Sequence, residues 1–414
     1  IVVLHSYLNP SLEQQISELA RRHGFDNVYA SHEVVRELGL TARGDTTTVD
    51  AYLTPLLRDY LKSLERELPG SSLRLMQSSG ALTDSANFRG PDAILSGPAG
   101  GVVAYSKVAQ RHGAVPAIGF DMGGTSTDVS RFMHDLPLVF STETSGIRLR
   151  APTLDIHTVA AGGGSICQWR DGRLQVGPES AGSDPGPLCY GKPRAAELTV
   201  TDVNLSLGRL NDARFPFRLD GARAEAALAG LAEQLEMTPT EVATGFFRVA
   251  THNMAEAIRK VSVARGYDVR EHALVVFGGA GGQHACALAR QLDIQRILIH
   301  PLGGVLSAYG MGLADVGCHR SRDAGRDELS DAALARLEPV FRELELDVKA
   351  ELARTPSHAS AVIELRRSVD LGYQGSETFL SLELPEHHTQ HDGPTSDTIA
   401  NLVERFELDH ERLF

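Results

Sequence analysis

Apolar positions along the chain change rhythm three times. Over residues 1–115, short apolar runs alternate with amphipathic stretches. Ile1–His5 reads as a buried strand, Pro10–His23 as a helix and Asn27–Ser31 as a further strand. Asp50–Leu68 carries apolar residues at 53, 56, 57, 60, 61 and 64, the spacing of one helical face, with Asp50 as N-cap and Pro69-Gly70 as the stop. Ser72–Gln77 is a short strand. Ala93–Ser96 then enters a Gly97-Pro98-Ala99-Gly100-Gly101 loop, and Val102–Arg111 leaves it as a helix, a strand–loop–helix unit of α/β type.

A β rhythm begins at Pro116. Ala117–Asp121 and Thr127–Phe132 flank a glycine turn, and Leu138–Ser141, Ile156–Ala160 and Ser165–Arg170 follow. Asp171-Gly172 is a hairpin dipeptide leading to a run that ends near Val176. Gly221–Arg265 is helical, with Phe246, Val249, Ala250, Met254 and Ile258 on one face. Ala273–Phe277 is a strand, Gly278–Gly282 a loop, His284–Leu292 a helix and Arg296–His300 a strand, and Gly303–Leu313 closes the unit. Beyond Gly317 the chain is charged and helical to Ala353, and Ser368–Leu384 reads as two strands around Gln374-Gly375. Boundaries near 115 and 317 predict domains at 1–115, 116–316 and 317–414.

Composition narrows the function classes. The formal net charge of -13 argues against nucleic acid, whose binding needs clustered Lys and Arg. No apolar run reaches the ~18–20 residues of a membrane span. The four cysteines form no CxxC pair, so neither a zinc knuckle nor a disulfide framework is indicated, and a reduced, cytoplasmic setting is the default. The 40 glycines exceed the usual share and cluster in a few loops, which is where function is to be sought. Both ends read as cut: Ile1 opens inside an apparent strand, and Glu407–Phe414 stops inside a helix.

The strongest motif is Phe120-Asp121-Met122-Gly123-Gly124-Thr125-Ser126-Thr127-Asp128-Val129-Ser130. A buried strand delivers Asp121 to a tight turn. Gly123 and Gly124 allow an anion to approach the backbone, and the hydroxyls of Thr125, Ser126 and Thr127 can cradle phosphate oxygens. Asp121 and Asp128 can hold Mg²⁺, directly or through water. A plain glycine hairpin with capping hydroxyls is the bland alternative. Val276–His284 contains Gly278, Gly279, Gly281 and Gly282 between a strand and a helix; it lacks the dinucleotide-binding pattern and suits either a base or phosphate, or close strand–helix packing.

Gly162-Gly163-Gly164, between two strands, permits backbone strain and ligand approach, and the same holds for Gly97–Gly101. The run 177–191 is long and rich in proline, glycine and polar groups, with Glu179 and Asp184 as candidate substrate or metal contacts and Ser180 as a candidate substrate contact. Cys189 within it reads as an inert buried thiol, since no base stands beside it. Asp202 is a carboxylate ending a strand or a helix N-cap. His5 and His252 read as core histidines, and His387, His388 and His391 as a solvated loop rather than a metal site.

Taken together and in this order, FDMGGTSTDVS, LSGPAGGV, VAAGGGSI, GPESAGSDPGPLCYG, TVTDVNLSLGRL and FGGAGGQHACALA resemble the hydantoinase A/5-oxoprolinase family. The resemblance covers roughly 1–316 closely and 366–384 more loosely. It implies two ribonuclease-H-like lobes of the actin, sugar-kinase and heat-shock-chaperone superfamily closing on ATP, with a partial C-terminal α+β region. It implies ATP and Mg²⁺ as cofactors, with Asp121 and Asp128 placing metal and water and Gly123–Thr127 on phosphate. Gly278–Gly282 would meet the adenosine side, and the 177–191 loop would shape the pocket.

The implied reaction is ATP-driven opening of a cyclic amide, 5-oxoproline or a hydantoin, with a hydantoinase B-like partner. Self-association is left open. Family members begin with another DxGGTxTD turn, and none precedes Asp121 here, so 1–115 reads as the tail of a first lobe and the chain alone as inactive. A ketone- or bicarbonate-phosphorylating carboxylase subunit and a non-catalytic nucleotide-binding scaffold remain as alternatives.

Overall fold

The β-prone runs flanking Gly123-Gly124 pair as predicted. Strands β1 (Ala117–Met122) and β2 (Thr127–Phe132) form an antiparallel hairpin whose register sets Asp121 opposite Asp128. The computed structural model describes residues 1–144, 146–354, 363–376, 378–385 and 396–413. The chain divides into two units, one made of 1–96, 138–153 and 315–414, the other of 97–137 and 154–314. Both mix helices and strands. Among the described residues, no helix is long and apolar enough to cross a membrane.

The unit of 97–137 and 154–314 is built on a five-stranded sheet. β1 is central: β2 and then β3 (His157–Val159) extend it antiparallel on one side. Across a separate hairpin of β4 (Ser165–Arg170) and β5 (Arg173–Ser180), the chain returns to add β6 (Ala273–Phe277) and β7 (Arg296–Ile299), both parallel to β1, on the other side. The Asp171-Gly172 turn of the β4–β5 hairpin has positive φ at both residues, as a two-residue primed turn requires.

Alternation along β1 assigns its two faces. Ile118, Phe120 and Met122 join a core with Phe246, Ala250, Met254 and Ile258 of a long helix, Pro239–Val261. Gly119 and Asp121 point the other way, toward helix α1 (Ser96–Arg111), where Tyr105 lies over Gly119 so closely that no side chain fits there. Ser130 of β2 donates to the Tyr105 hydroxyl at 2.9 Å.

Gly97–Gly101 is not a loop. It forms the first turns of α1, and Gly100 and Gly101 are small because the backbone of Ser307 and the ring of Phe277 lie against them. Thr199 caps the short helix α2 (Val200–Ser206), followed by α3 (Gly221–Leu235), α4 (Pro239–Val261), α5 (Ala285–Gln291) and α6 (Leu306–Leu313).

The other unit departs further from expectation. Ile1–His5 and Asn27–Ser31 run beside each other, with the Ile1 amine donating to the Tyr29 carbonyl and Ser31 N–H to the Ile1 carbonyl, but no strand ladder forms. Buried side chains take the polar groups a ladder would use: Val3 N–H donates to the Glu13 carboxylate at 2.7 Å, and the Arg43 guanidinium donates to the Val3 carbonyl at 2.6 Å. Glu13 also accepts from Ser31 and from His32, and these bonds hold its carboxyl down at about 2 against the opposing pull of burial.

The predicted helix at 50–68 begins ten residues earlier, spanning Leu40–Glu67. Thr46, Thr47 and Thr48 are tolerated in its interior because each hydroxyl donates to the carbonyl four residues back. Asp50 is therefore not an N-cap; it is fully buried in mid-helix, bonded to Thr54 and ion-paired with Arg89. His5 and His252 are exposed rather than core residues, and His387, His388 and His391 lie outside the described residues.

Candidate functional site

Parallel pairing of β1 with β6 brings Phe277 beside Asp121, so the turn at 123–126 and the loop at 278–282 emerge from the same end of the sheet. Ala280 N–H donates to the Met122 carbonyl at 2.9 Å. Gly278 has φ +81 and sits so close to the Asp121 carboxylate and the Met122 carbonyl that a Cβ has no room. Gly281 faces inward, toward Val276 and Phe120. Gly124, Gly279 and Gly282, by contrast, face open space.

The two aspartates sit across the hairpin on one face, half-buried. Burial first, and then the neighbouring Asp128 carboxylate, push the Asp121 carboxyl up to about 6; a hydrogen bond from Ser307 opposes them. Burial raises Asp128 as well, opposed by Thr158, whose hydroxyl donates to it at 2.6 Å. Neither Ser307 nor Thr158 is signalled locally in the sequence, since both arrive from distant segments. Two carboxylates held near each other and partly out of water, with no cationic side chain among the described residues shown bonded to either, suit a hard divalent cation.

The same alternation that puts Asp128 in the site takes Thr127 out of it. The Thr127 side chain is fully buried on the opposite face and its hydroxyl donates to the Ala161 carbonyl, so it supports the turn from beneath instead of reaching phosphate. Thr125 and Ser126 remain. Among the described residues, their hydroxyls take no partner, and neither do the backbone N–H groups of Gly124, Thr125 and Gly279.

Gly162–Gly164 underlies that turn. Gly163 N–H donates to the Gly123 carbonyl at 3.0 Å and Gly164 N–H to the Gly124 carbonyl at 2.6 Å. A Cβ on Gly162 would stand 2.7 Å from the Gly124 and Thr125 backbone, which explains the three glycines by packing. Thr201 N–H and its hydroxyl both donate to the Gly163 carbonyl at 2.8 Å.

The 177–191 segment is partly strand, since β5 runs to Ser180. The Ser180 hydroxyl accepts from Gly182 N–H at 3.1 Å, and Ala181 N–H donates to the Gly164 carbonyl. Glu179 is exposed. Asp184 is exposed and pairs with Arg194 at 2.6 Å and Lys192 at 3.7 Å. Asp202 neither ends a strand nor forms an N-cap. It is the third residue of α2, in a capping box with Thr199, and its fully buried carboxylate also accepts from Leu188 and Cys189 N–H at 3.1 and 2.7 Å. Burial and that carboxylate push the Cys189 thiol well up, so it is inert.

Residues 43–320 match the model of the hydantoinase/oxoprolinase family. The 5-oxoprolinase of Saccharomyces cerevisiae is 41% identical over 403 residues, covering 92% of this chain and 31% of the yeast protein. The caprolactamase subunit alpha of Pseudomonas jessenii is 34% identical over 426 residues, covering 99% of this chain and 60% of that protein. The crystal structure of the ATP-dependent caprolactamase from Pseudomonas jessenii superposes with a TM-score of 0.84 at 33% identity, over 99% of this chain and 60% of the other. The chain thus spans about a third of the length of the 5-oxoprolinases it matches.

Proposed function

The chain belongs to the hydantoinase/oxoprolinase family, and on that premise we propose that it supplies the phosphate-binding side of an ATP-dependent hydrolase that opens a cyclic amide such as 5-oxoproline. A lactam carbonyl resists water. Transfer of the terminal phosphoryl group of ATP to the carbonyl oxygen creates a leaving group; water then opens the ring, giving the amino acid, ADP and phosphate.

The observation that carries this reading is the Asp121–Asp128 pair set between two glycine-rich loops at one end of the sheet. The free N–H groups of Gly124, Thr125 and Gly279, with the Thr125 and Ser126 hydroxyls, would receive phosphate oxygens, so that the chain's work is positioning and charge stabilisation. Asp121 and Asp128 would hold Mg²⁺. Among the described residues no group of three His, Cys, Asp or Glu side chains forms a cage, which fits an ion that takes one or two carboxylates and shares its remaining positions with water and phosphate. When bound, that ion neutralises charge on the phosphoryl oxygens.

Glu179 and Ser180 are assigned to the substrate side, and Asp184 to holding their loop through Arg194. A central first strand, with an antiparallel hairpin on one side and two parallel strands on the other, supports a ribonuclease-H-like lobe over 116–316. Residues 1–115 would then complete a first such lobe and 317–414 a C-terminal region. A relative that is itself a subunit alpha supports a separate partner subunit here. The ATP requirement and the free cysteines suit the cytoplasm.

The test is phosphate release from ATP by the complete protein, with its partner, in the presence and absence of 5-oxoproline. Lactam-stimulated release that disappears in Asp121→Asn is expected. Release indifferent to the lactam would sink the reading.

A further inference from the structure

His284 follows the second glycine loop directly, yet it is fully buried and faces away from solvent. Its surroundings fix its protonation. The Thr251 hydroxyl donates to the Phe247 carbonyl at 2.8 Å, so toward the imidazole Nδ1, 3.1 Å away, it can only accept. Nδ1 therefore carries the proton, and the bare Nε2 accepts from the Asn204 amide at 3.0 Å. Burial, reinforced by Arg209, lowers the imidazole to about 3 and keeps it neutral. The ring stacks on Phe247 at 4.7 Å, and Arg209 lies on the Phe247 ring at 3.8 Å while donating to the Gln283 carbonyl.

Asn204 belongs to α2, whose Thr201 is bonded to the Gly163 carbonyl, and Gly163 N–H is bonded to the Gly123 carbonyl. We propose that His284 is a positioning residue: through Asn204, α2 and Gly163 it sets the 278–282 loop against the 123–126 turn, so that both ends of one nucleotide are held at a fixed spacing. The inference rests on the ATP-binding reading above. An apolar residue of similar volume would fill the same space, but it would leave the buried Asn204 amide without its acceptor and remove this second link between the two loops, beside the direct Ala280–Met122 bond.

Two replacements separate linkage from packing. His284→Gln keeps an acceptor for Asn204; His284→Asn keeps only a donor for Thr251. In the complete protein, the KM for ATP should rise roughly tenfold in His284→Asn and stay near wild type in His284→Gln, with the KM for the lactam unchanged in both. Asn204→Ala should match His284→Asn, and the double variant should lose no more than either alone. Equal effects of Gln and Asn, or additive losses in the double variant, would overturn the inference. If neither His284 variant folds by thermal melting, Asn204→Ala against Thr251→Val makes the same comparison: a larger rise in ATP KM for Asn204→Ala supports the linkage, and equal rises reject it. Wild-type protein without lactam-stimulated ATP turnover would reject the parent reading and this inference together. Normal turnover with indistinguishable variants would reject this inference alone.

Discussion

The turn at 121–128 and the segment at 177–191 look alike as sequence: each is dense in glycine, hydroxyls and carboxylates. In the fold they are opposites. At the turn, the two raised carboxylates bond only to Thr158 and Ser307, and the Thr125 and Ser126 hydroxyls and the N–H groups of Gly124 and Thr125 have no partner among the described residues. Along 177–191 the polar groups are largely committed to one another or to neighbours: Asp184 to Arg194, Ser183 to Lys192, Ser180 to Gly182, and the Leu188–Cys189 backbone to Asp202. A ligand can be held where polar groups lack partners and are desolvated in advance. Where they already bond each other, the result is shape.

That contrast can be tested from its strongest consequence downward. Asp121→Asn in the complete protein should lower lactam-dependent phosphate release by about 100-fold or more, the scale of losing a preorganised charged group at a reacting phosphate. Release at wild-type rates with unchanged Mg²⁺ dependence would erase the distinction between the two regions. Asp202→Ala removes the acceptor of four hydrogen bonds inside the protein and should cost about 2–4 kcal/mol, read as a lower thermal midpoint and faster proteolysis within 183–191. An unchanged midpoint would show that the segment keeps its shape by other means.

The third test uses pH. Because burial and the Asp128 carboxylate push the folded Asp121 carboxyl up to about 6 from its ordinary 3.8, the native state binds the extra proton between those limits. Stability from this group is full below about pH 4 and is lost as pH rises through 6. Asp121→Asn should therefore melt higher than wild type at pH 8 without nucleotide or metal, by about 1–2 kcal/mol, and the gap should close toward pH 4. A gap of the same size at both pH values would contradict the assignment. The smallest effect is expected of Asp184→Asn: an exposed pair is worth under about 1 kcal/mol, and the KM for the lactam should stay within twofold of wild type. A large rise in that KM would return Asp184 to the substrate side.

Much of this is legible in the sequence. The hairpin at 117–132 and the helical stretch read over 221–265 follow from apolar periodicity, and the strand at 273–277, buried throughout, from its unbroken apolar run. Thr127 was legible too, had the period of two been carried through the turn from Asp128. What stayed hidden depends on partners far along the chain. Nothing near residue 3 announces that Glu13 and Arg43 will take its backbone, or near residue 46 that three threonines will bond backward and sustain a helix. The glycines at 100, 101 and 162–164 read as loop residues, but their reason is a backbone or side chain from a distant segment pressed against them. Such contacts belong to the fold as a whole, so a local pattern cannot carry them.

The order of residues within the two units has a consequence for how the chain is made. The unit of 97–137 and 154–314 is contained between residues of the other, which gathers its parts from three separated stretches. Within that second unit, Leu82 bonds to Asp315, Gln77 to Gly317 and Leu38 to Asp323. On the ribosome, residues 1–96 are made ahead of 315–323 and must wait for more than two hundred further residues before those partners exist. The sheet unit can close around β6 and β7 in the meantime. A ribosome paused once residue 314 has cleared its exit tunnel would therefore display a finished sheet while residues 38, 77 and 82 still lack their later partners. At that stage the nascent protein most needs a chaperone.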